Sequence, residues 1–242
     1  LYRCRVVSVE QLSRDAYALR FDAPSAFTPG QSTALTTDPS RIIPRLYSIA
    51  GACTGTGIHG SREIRGDKGR GGTGRGDGVW EVLFNVVPQG RLTPELADLR
   101  AGDTVHASAA AGSFTDDPAT STWWIASGTG VAPFAAMLRA GLANQAGTAR
   151  KVLLHGSRYL DGFYYRREMV AVLGADYVPC GSTESDRGVY PGRLTTYLQD
   201  LPSFPQDTRY MLCGATGMII QVRDMLLSAG IPFSNIVSEI YF

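Results

Sequence analysis

Trp123-Trp124-Ile125-Ala126-Ser127-Gly128-Thr129-Gly130-Val131-Ala132-Pro133-Phe134 runs from an apolar stretch through a glycine turn into a helical pattern. Trp123–Ser127 predicts a strand. Phe134, Met137, Leu138 and Leu142 recur at helical spacing and predict a helix from about Val131. Strand, glycine turn and helix in that order open a unit of a parallel α/β sheet. The rest of the second half alternates in the same way. Lys151–His155, Asp176–Pro179, Arg209–Cys213 and Ile236–Phe242 read as extended. Arg166–Val172 reads as helix, as does a stretch through Met218, Val222, Met225 and Leu226 that Gly230 ends. This half predicts a doubly wound parallel sheet.

The first half reads as β. Tyr2–Glu10, Ala16–Asp22, Gln31–Thr36, Arg45–Ala50, Trp80–Val87 and Thr104–Ala110 are separated by Pro, Gly and Asp signals. Six short strands at this spacing predict a small antiparallel barrel, with one short helix at Pro94–Leu99. The expected architecture is therefore two domains, 1–116 and 117–242, with the boundary in the polar stretch Thr115–Thr122. Gly55–Gly78 fits neither half: it holds ten glycines in 24 residues, and five basic side chains (Arg62, Arg65, Lys68, Arg70, Arg75) against three acidic ones. So little apolar surface cannot offset ordering entropy, which predicts a flexible insertion between two barrel strands.

Two segments carry chemistry. Arg45-Leu46-Tyr47-Ser48 puts Arg45 and Tyr47 on one strand face and Ser48 on the other. An arginine can grip phosphate through two hydrogen bonds, and an aromatic ring can cover a flat ligand. The turn Gly128-Thr129-Gly130 leaves backbone N–H groups free at a helix N-terminus, where anions bind. Gly90-Arg91-Leu92-Thr93 precedes Pro94, so Thr93 is the expected N-cap of a helix whose start could hold phosphate.

In order and spacing these motifs resemble the ferredoxin–NADP reductase superfamily. The resemblance covers nearly the whole chain and continues in His155-Gly156-Ser157-Arg158, Cys213-Gly214 and Glu239-Ile240-Tyr241-Phe242. It implies an antiparallel FAD-binding barrel followed by a doubly wound NAD(P)-binding domain, with the dinucleotide lying across the cleft. It implies that FAD is held by Arg45, Leu46, Tyr47 and Ser48, by Val87, Gly90, Arg91, Leu92 and Thr93, and by a terminal aromatic, Tyr241 or Phe242. It assigns NAD(P) to Gly128, Thr129, Gly130, Val131 and Pro133, to Ser157, Arg158 and Arg187, and to Cys213, Gly214 and Met218. Ser48, Cys213 and Glu239 take the catalytic places beside the reacting rings. Plant-type members end in Glu-x-Tyr, and here Phe242 follows. Where members often carry a second arginine for the 2′-phosphate of NADP, this chain has Ser182, Thr183 and Glu184, with Arg187 later. NADPH is the expected donor, with NADH kept open.

The implied activity is electron transfer between NAD(P)H and a separate one-electron carrier, ferredoxin or flavodoxin. Two alternatives stand beside it in the enzyme class: an NADH-dependent reductase component of an oxygenase, and a free-flavin reductase. A flavin-binding relay or regulatory subunit and a non-redox nucleotide module belong to other classes. Composition narrows the field further. The net charge of +1 argues against a nucleic-acid partner. Cys4, Cys53, Cys180 and Cys213 lack metal-ligand spacing, so no metal is expected and reduced, mostly buried thiols are. No apolar run nears the roughly 20 residues of a membrane span. No signal peptide opens the chain and the first residue is Leu1, so the cytoplasm is the expected compartment, with an upstream segment left open.

Overall fold

The computed structural model describes residues 1–53, 78–143 and 149–241. The expected insertion at 55–78 lies outside these residues except for Gly78. The chain divides into two units. One is Leu1–Thr115 with Arg139–Gly141; the other is Asp116–Leu138 with Leu142–Phe242.

The first unit is a closed barrel of β1 (Tyr2–Gln11), β2 (Ala16–Asp22), β3 (Ser32–Thr36), β4 (Arg45–Cys53), β5 (Val79–Asn85) and β6 (Thr104–Ala107). The strands run in the order β1-β2-β5-β4-β3-β6, every neighbour antiparallel, and β6 closes on β1. Inward positions recur along each strand, so Val6, Leu19, Phe21, Leu35, Ile49, Trp80, Val82, Phe84 and Val105 fill one apolar core. A register shift in β4 between Ile49 and Gly51 bends the strand just beyond Ser48. A helix, α1 (Leu92–Asp98), follows β5 and buries Leu92 and Leu96.

The helix start departs from expectation. α1 begins at Leu92, with Arg91 at the N-cap and no side-chain cap. Thr93 lies inside the first turn, and its Oγ1 accepts the Val87 N–H at 2.9 Å. Burial of Leu92 starts the helix early, and the Thr93 hydroxyl braces the preceding loop rather than capping the helix.

The second unit is a parallel sheet in the order β10-β9-β8-β7-β11-β12. Its strands are β7 (Thr122–Ser127), β8 (Lys151–Ser157), β9 (Tyr177–Gly181), β10 (Tyr190–Pro191), β11 (Arg209–Ala215) and β12 (Ile236–Tyr241). Its helices are α2 (Ala132–Arg139), α3 (Arg166–Leu173), α4 (Leu194–Gln199) and α5 (Thr216–Ser228). The sequence reading lacks β10 and α4. Leu142 is not helical as expected: α2 stops at Arg139, and the Leu142 N–H returns to the Met137 carbonyl in a Schellman closure. α5 ends in the same closure, from Ile231 to Leu226.

From β7 the chain moves outward through β8, β9 and β10, then returns to the other side of β7 with β11 and β12. The topological switch lies between β7 and β11, the place where α/β sheets bind ligands beyond their strand ends. No described helix is long and apolar enough to cross a membrane.

Candidate functional site

Within the barrel, Arg45 opens β4 and is exposed, and Leu46 beside it is 68% exposed. Tyr47 is half-buried, its ring edge-on to Phe84 at 6.3 Å. Burial pushes its phenol up to about 12, so it stays a hydroxyl donor at neutral pH. Ser48 is buried, with its Oγ 3.5 Å from Ser32 Oγ. Val87 and Arg91 are exposed. Gly90 closes the loop back to the Val87 carbonyl, and a Cβ there would lie 3.0 Å from that oxygen and 3.5 Å from Thr93 Oγ1. The absent side chain thus leaves room directly beside Thr93. Its hydroxyl accepts from Val87 and retains its own hydrogen to donate. An exposed guanidinium, a half-covered aromatic and a hydroxyl donor form a set that fits a phosphorylated ring cofactor.

In the second unit, the ends of β7 and β11 lie side by side. Gly128–Val131 forms a 3-10 turn that runs directly into α2, with Pro133 as its second residue. Gly130 lies so close to β11 that a Cβ would meet the Cys213 carbonyl oxygen. Gly214, at φ +135°, packs in turn on Ser127, whose Oγ accepts the Ala215 N–H at 3.0 Å. Glu239 is partly buried and in register with Cys213 on β12. The expected residues Gly128, Thr129, Gly130, Val131, Pro133, Cys213, Gly214 and Glu239 are therefore gathered at the switch. Met218 sits in the first turn of α5, just after β11, and packs on the core cluster there.

Ser157 and Arg158 stand at the end of β8. Ser157 Oγ donates to the Tyr159 carbonyl at 2.9 Å, and Arg158 is exposed. The Thr183 and Glu184 N–H groups both donate to the Arg158 carbonyl, and the Glu184 carboxylate accepts the Leu160 N–H. A folded loop with an arginine head outermost results. Arg187 is exposed farther along that loop. Tyr241 ends β12 in register with Ala215, and Phe242 lies outside the described residues.

His155 and Tyr177, to which the sequence assigned no role, form a chain of contacts to the turn. His155 is fully buried, with Nε2 3.2 Å from the Gly128 carbonyl and Nδ1 3.2 Å from the Tyr177 hydroxyl. Burial lowers its pKa to about 4, so the ring is neutral. Cys4, Cys180 and Cys213 are buried, and burial pushes the Cys180 thiol up to about 12. Among the described residues no cluster could hold a metal.

The oxidoreductase NAD-binding domain family matches residues 124–224, the segment that holds this strand-end site. Ferredoxin–NADP reductase B of Sorangium cellulosum is 27% identical over 99% of this chain and 97% of its own length. Both matches support the ferredoxin–NADP reductase superfamily for this chain. The matches support an oxidoreductase flavoenzyme that uses FAD and NAD(P). A flavodoxin/ferredoxin–NADP reductase of Rhodobacter capsulatus is 28% identical over 60% of this chain, a match that spans only 62% of that relative. Among solved superfamily structures, a Neisseria gonorrhoeae ferredoxin NADP+ reductase with bound FAD and NADP superposes with a TM-score of 0.81 at 18% identity. It covers 100% of this chain and 98% of its own. An Amycolatopsis cytochrome P450 reductase reaches 0.77 at 26% identity, over 99% of this chain and 69% of its own.

Proposed function

We propose that this protein carries electrons between NADPH and a separate one-electron carrier, ferredoxin or flavodoxin. The observation that carries the proposal is the seating of Gly130 against Cys213-Gly214 at the switch of the parallel sheet, with Glu239 alongside. Bound FAD would supply the redox chemistry, accepting hydride from the nicotinamide and releasing electrons singly. The chain's own residues orient and hold. Arg45 neutralises the flavin pyrophosphate, Tyr47 covers the ring system, and Thr93 donates its hydroxyl hydrogen to phosphate. The amides of Gly128–Val131 receive the dinucleotide pyrophosphate. Arg158 and Arg187 receive the 2′-phosphate, Cys213 leaves a small polarizable wall beside the nicotinamide, Ser48 steadies the reactive flavin nitrogen, and Glu239 supplies a proton. A cytoplasmic setting accompanies this reading.

A second reading has support of its own. The Amycolatopsis protein is named a cytochrome P450 reductase, and Ser182, Thr183 and Glu184 occupy the stretch where the resemblance implies a second arginine. An NADH-dependent oxygenase reductase would use the same sites. Steady-state turnover with both nucleotides against ferredoxin, flavodoxin and free flavin separates the two. Fast NADPH turnover with a protein carrier supports the first, and NADH turnover restricted to an oxygenase partner overturns it.

Two substitutions test the residue assignments. Arg45→Ala is expected to weaken FAD reconstitution of the apoprotein by about tenfold or more, the loss of a charge-assisted pair. Unchanged affinity would remove Arg45 from the pyrophosphate. Arg158→Ala is expected to raise KM for NADPH about tenfold while leaving that for NADH within about twofold. Equal effects on both nucleotides would place the 2′-phosphate elsewhere.

A further inference from the structure

His155 projects from β8 beneath the turn that follows its neighbour β7, and Ala126 is its register partner there. The Gly128 carbonyl can only accept, so the hydrogen shared with it resides on His155 Nε2. Nδ1 then carries the lone pair, and the Tyr177 hydroxyl donates to it. Phe163 packs edge-on against the imidazole at 5.4 Å and closes the remaining side. Both ring nitrogens are thereby occupied, and the ring has one orientation and one tautomer. The turn above it is held at two points: its first residue by His155 and its third by the close approach of Gly130 to β11.

We propose that His155 is a positioning residue for the dinucleotide turn, its Nε2–H anchoring the Gly128 carbonyl to the sheet with Tyr177 setting the tautomer. This rests on the reading of Gly128–Val131 as the pyrophosphate site. The turn must present several N–H groups to one anion at once. A carbonyl free to swing would rotate the peptide it shares with the Thr129 N–H, and the set would lose its common aim. The ring touches no reacting atom, and its contribution is preorganisation of the backbone.

The test uses the FAD-loaded chain, NADP+ calorimetry and amide hydrogen exchange over residues 127–134. His155→Leu is expected to weaken NADP+ about tenfold and to speed exchange in that segment, with FAD content unchanged. His155→Gln places an N–H donor the same number of bonds from Cα and is expected to restore binding to within about threefold of the unaltered protein. Full-strength binding by His155→Leu, or equal impairment of both variants, overturns the proposal. Should His155→Leu fail to fold, Tyr177→Phe decides. About threefold weaker binding with faster exchange supports the proposal, and unaltered binding and exchange overturn it. NADP+ that binds the unaltered protein without slowing exchange in 127–134 sinks the reading of the turn itself.

Discussion

Gly130→Ala is expected to cut NADPH-driven turnover by about a hundredfold, because a misplacement of about 1 Å at a positioning element costs that much. The added carbon would fall 2.7 Å from the Cys213 carbonyl carbon and 2.7 Å from the Gly214 Cα, against backbone on every close side. No rotamer can relieve such a contact, so either the turn or the end of β11 must move. Overpacking of this kind also destabilises by about 1–3 kcal/mol. Under the proposed assignment the barrel holds FAD, which should persist, so a yellow protein with failed dinucleotide binding is the expected phenotype. Wild-type turnover by Gly130→Ala would mean that this seam is not where the dinucleotide lies.

Lys151→Met is expected to lower the stability of the second unit by about 3–5 kcal/mol, the cost of stranding a buried charge. The Lys151 ammonium donates to Asp116 Oδ2 at 2.8 Å, to the Asp117 and Thr120 carbonyls at 2.7 Å, and to Thr122 Oγ1 at 3.2 Å. The pair is sealed, with 1% of the Lys151 side chain and none of the Asp116 side chain exposed. Asp116 also accepts from Trp124 Nε1 at 2.8 Å and Thr122 Oγ1 at 2.9 Å, so it ties the first residues of the second unit to β7 and β8. Calorimetric melting about 10–20 °C lower is the expected reading for a unit of this size. An unchanged melting temperature would show that the network stabilises nothing net, an outcome known for other buried ion pairs replaced by apolar groups.

Much of this architecture was readable from residue order. Alternating apolar positions in Ala16–Asp22 and the strand–turn–helix of 122–139 each carry a periodicity that local chemistry enforces. The misses share one cause, long-range packing. β10 has two residues and α4 has six, set among Pro191, Gly192 and two threonines, and neither segment is long enough to show a period. Thr93 looked like a cap because its neighbour is Pro94, but burial of Leu92 against the barrel core moved the helix start. His155 was visible only as part of a motif. Its partners Gly128 and Tyr177 lie 27 and 22 residues away, and only the parallel register of β7, β8 and β9 brings them together.

The closure of β1 on β6 reaches beyond catalysis. A ring of six strands has no first or last member, so among the described residues the barrel offers no margin of unpaired amides to a neighbouring molecule. The parallel sheet has two margins among the described residues, and one of them, β10, is too short to template anything. Among the described residues, polymerisation by strand addition is thereby narrowed to the flank of Ile236–Tyr241.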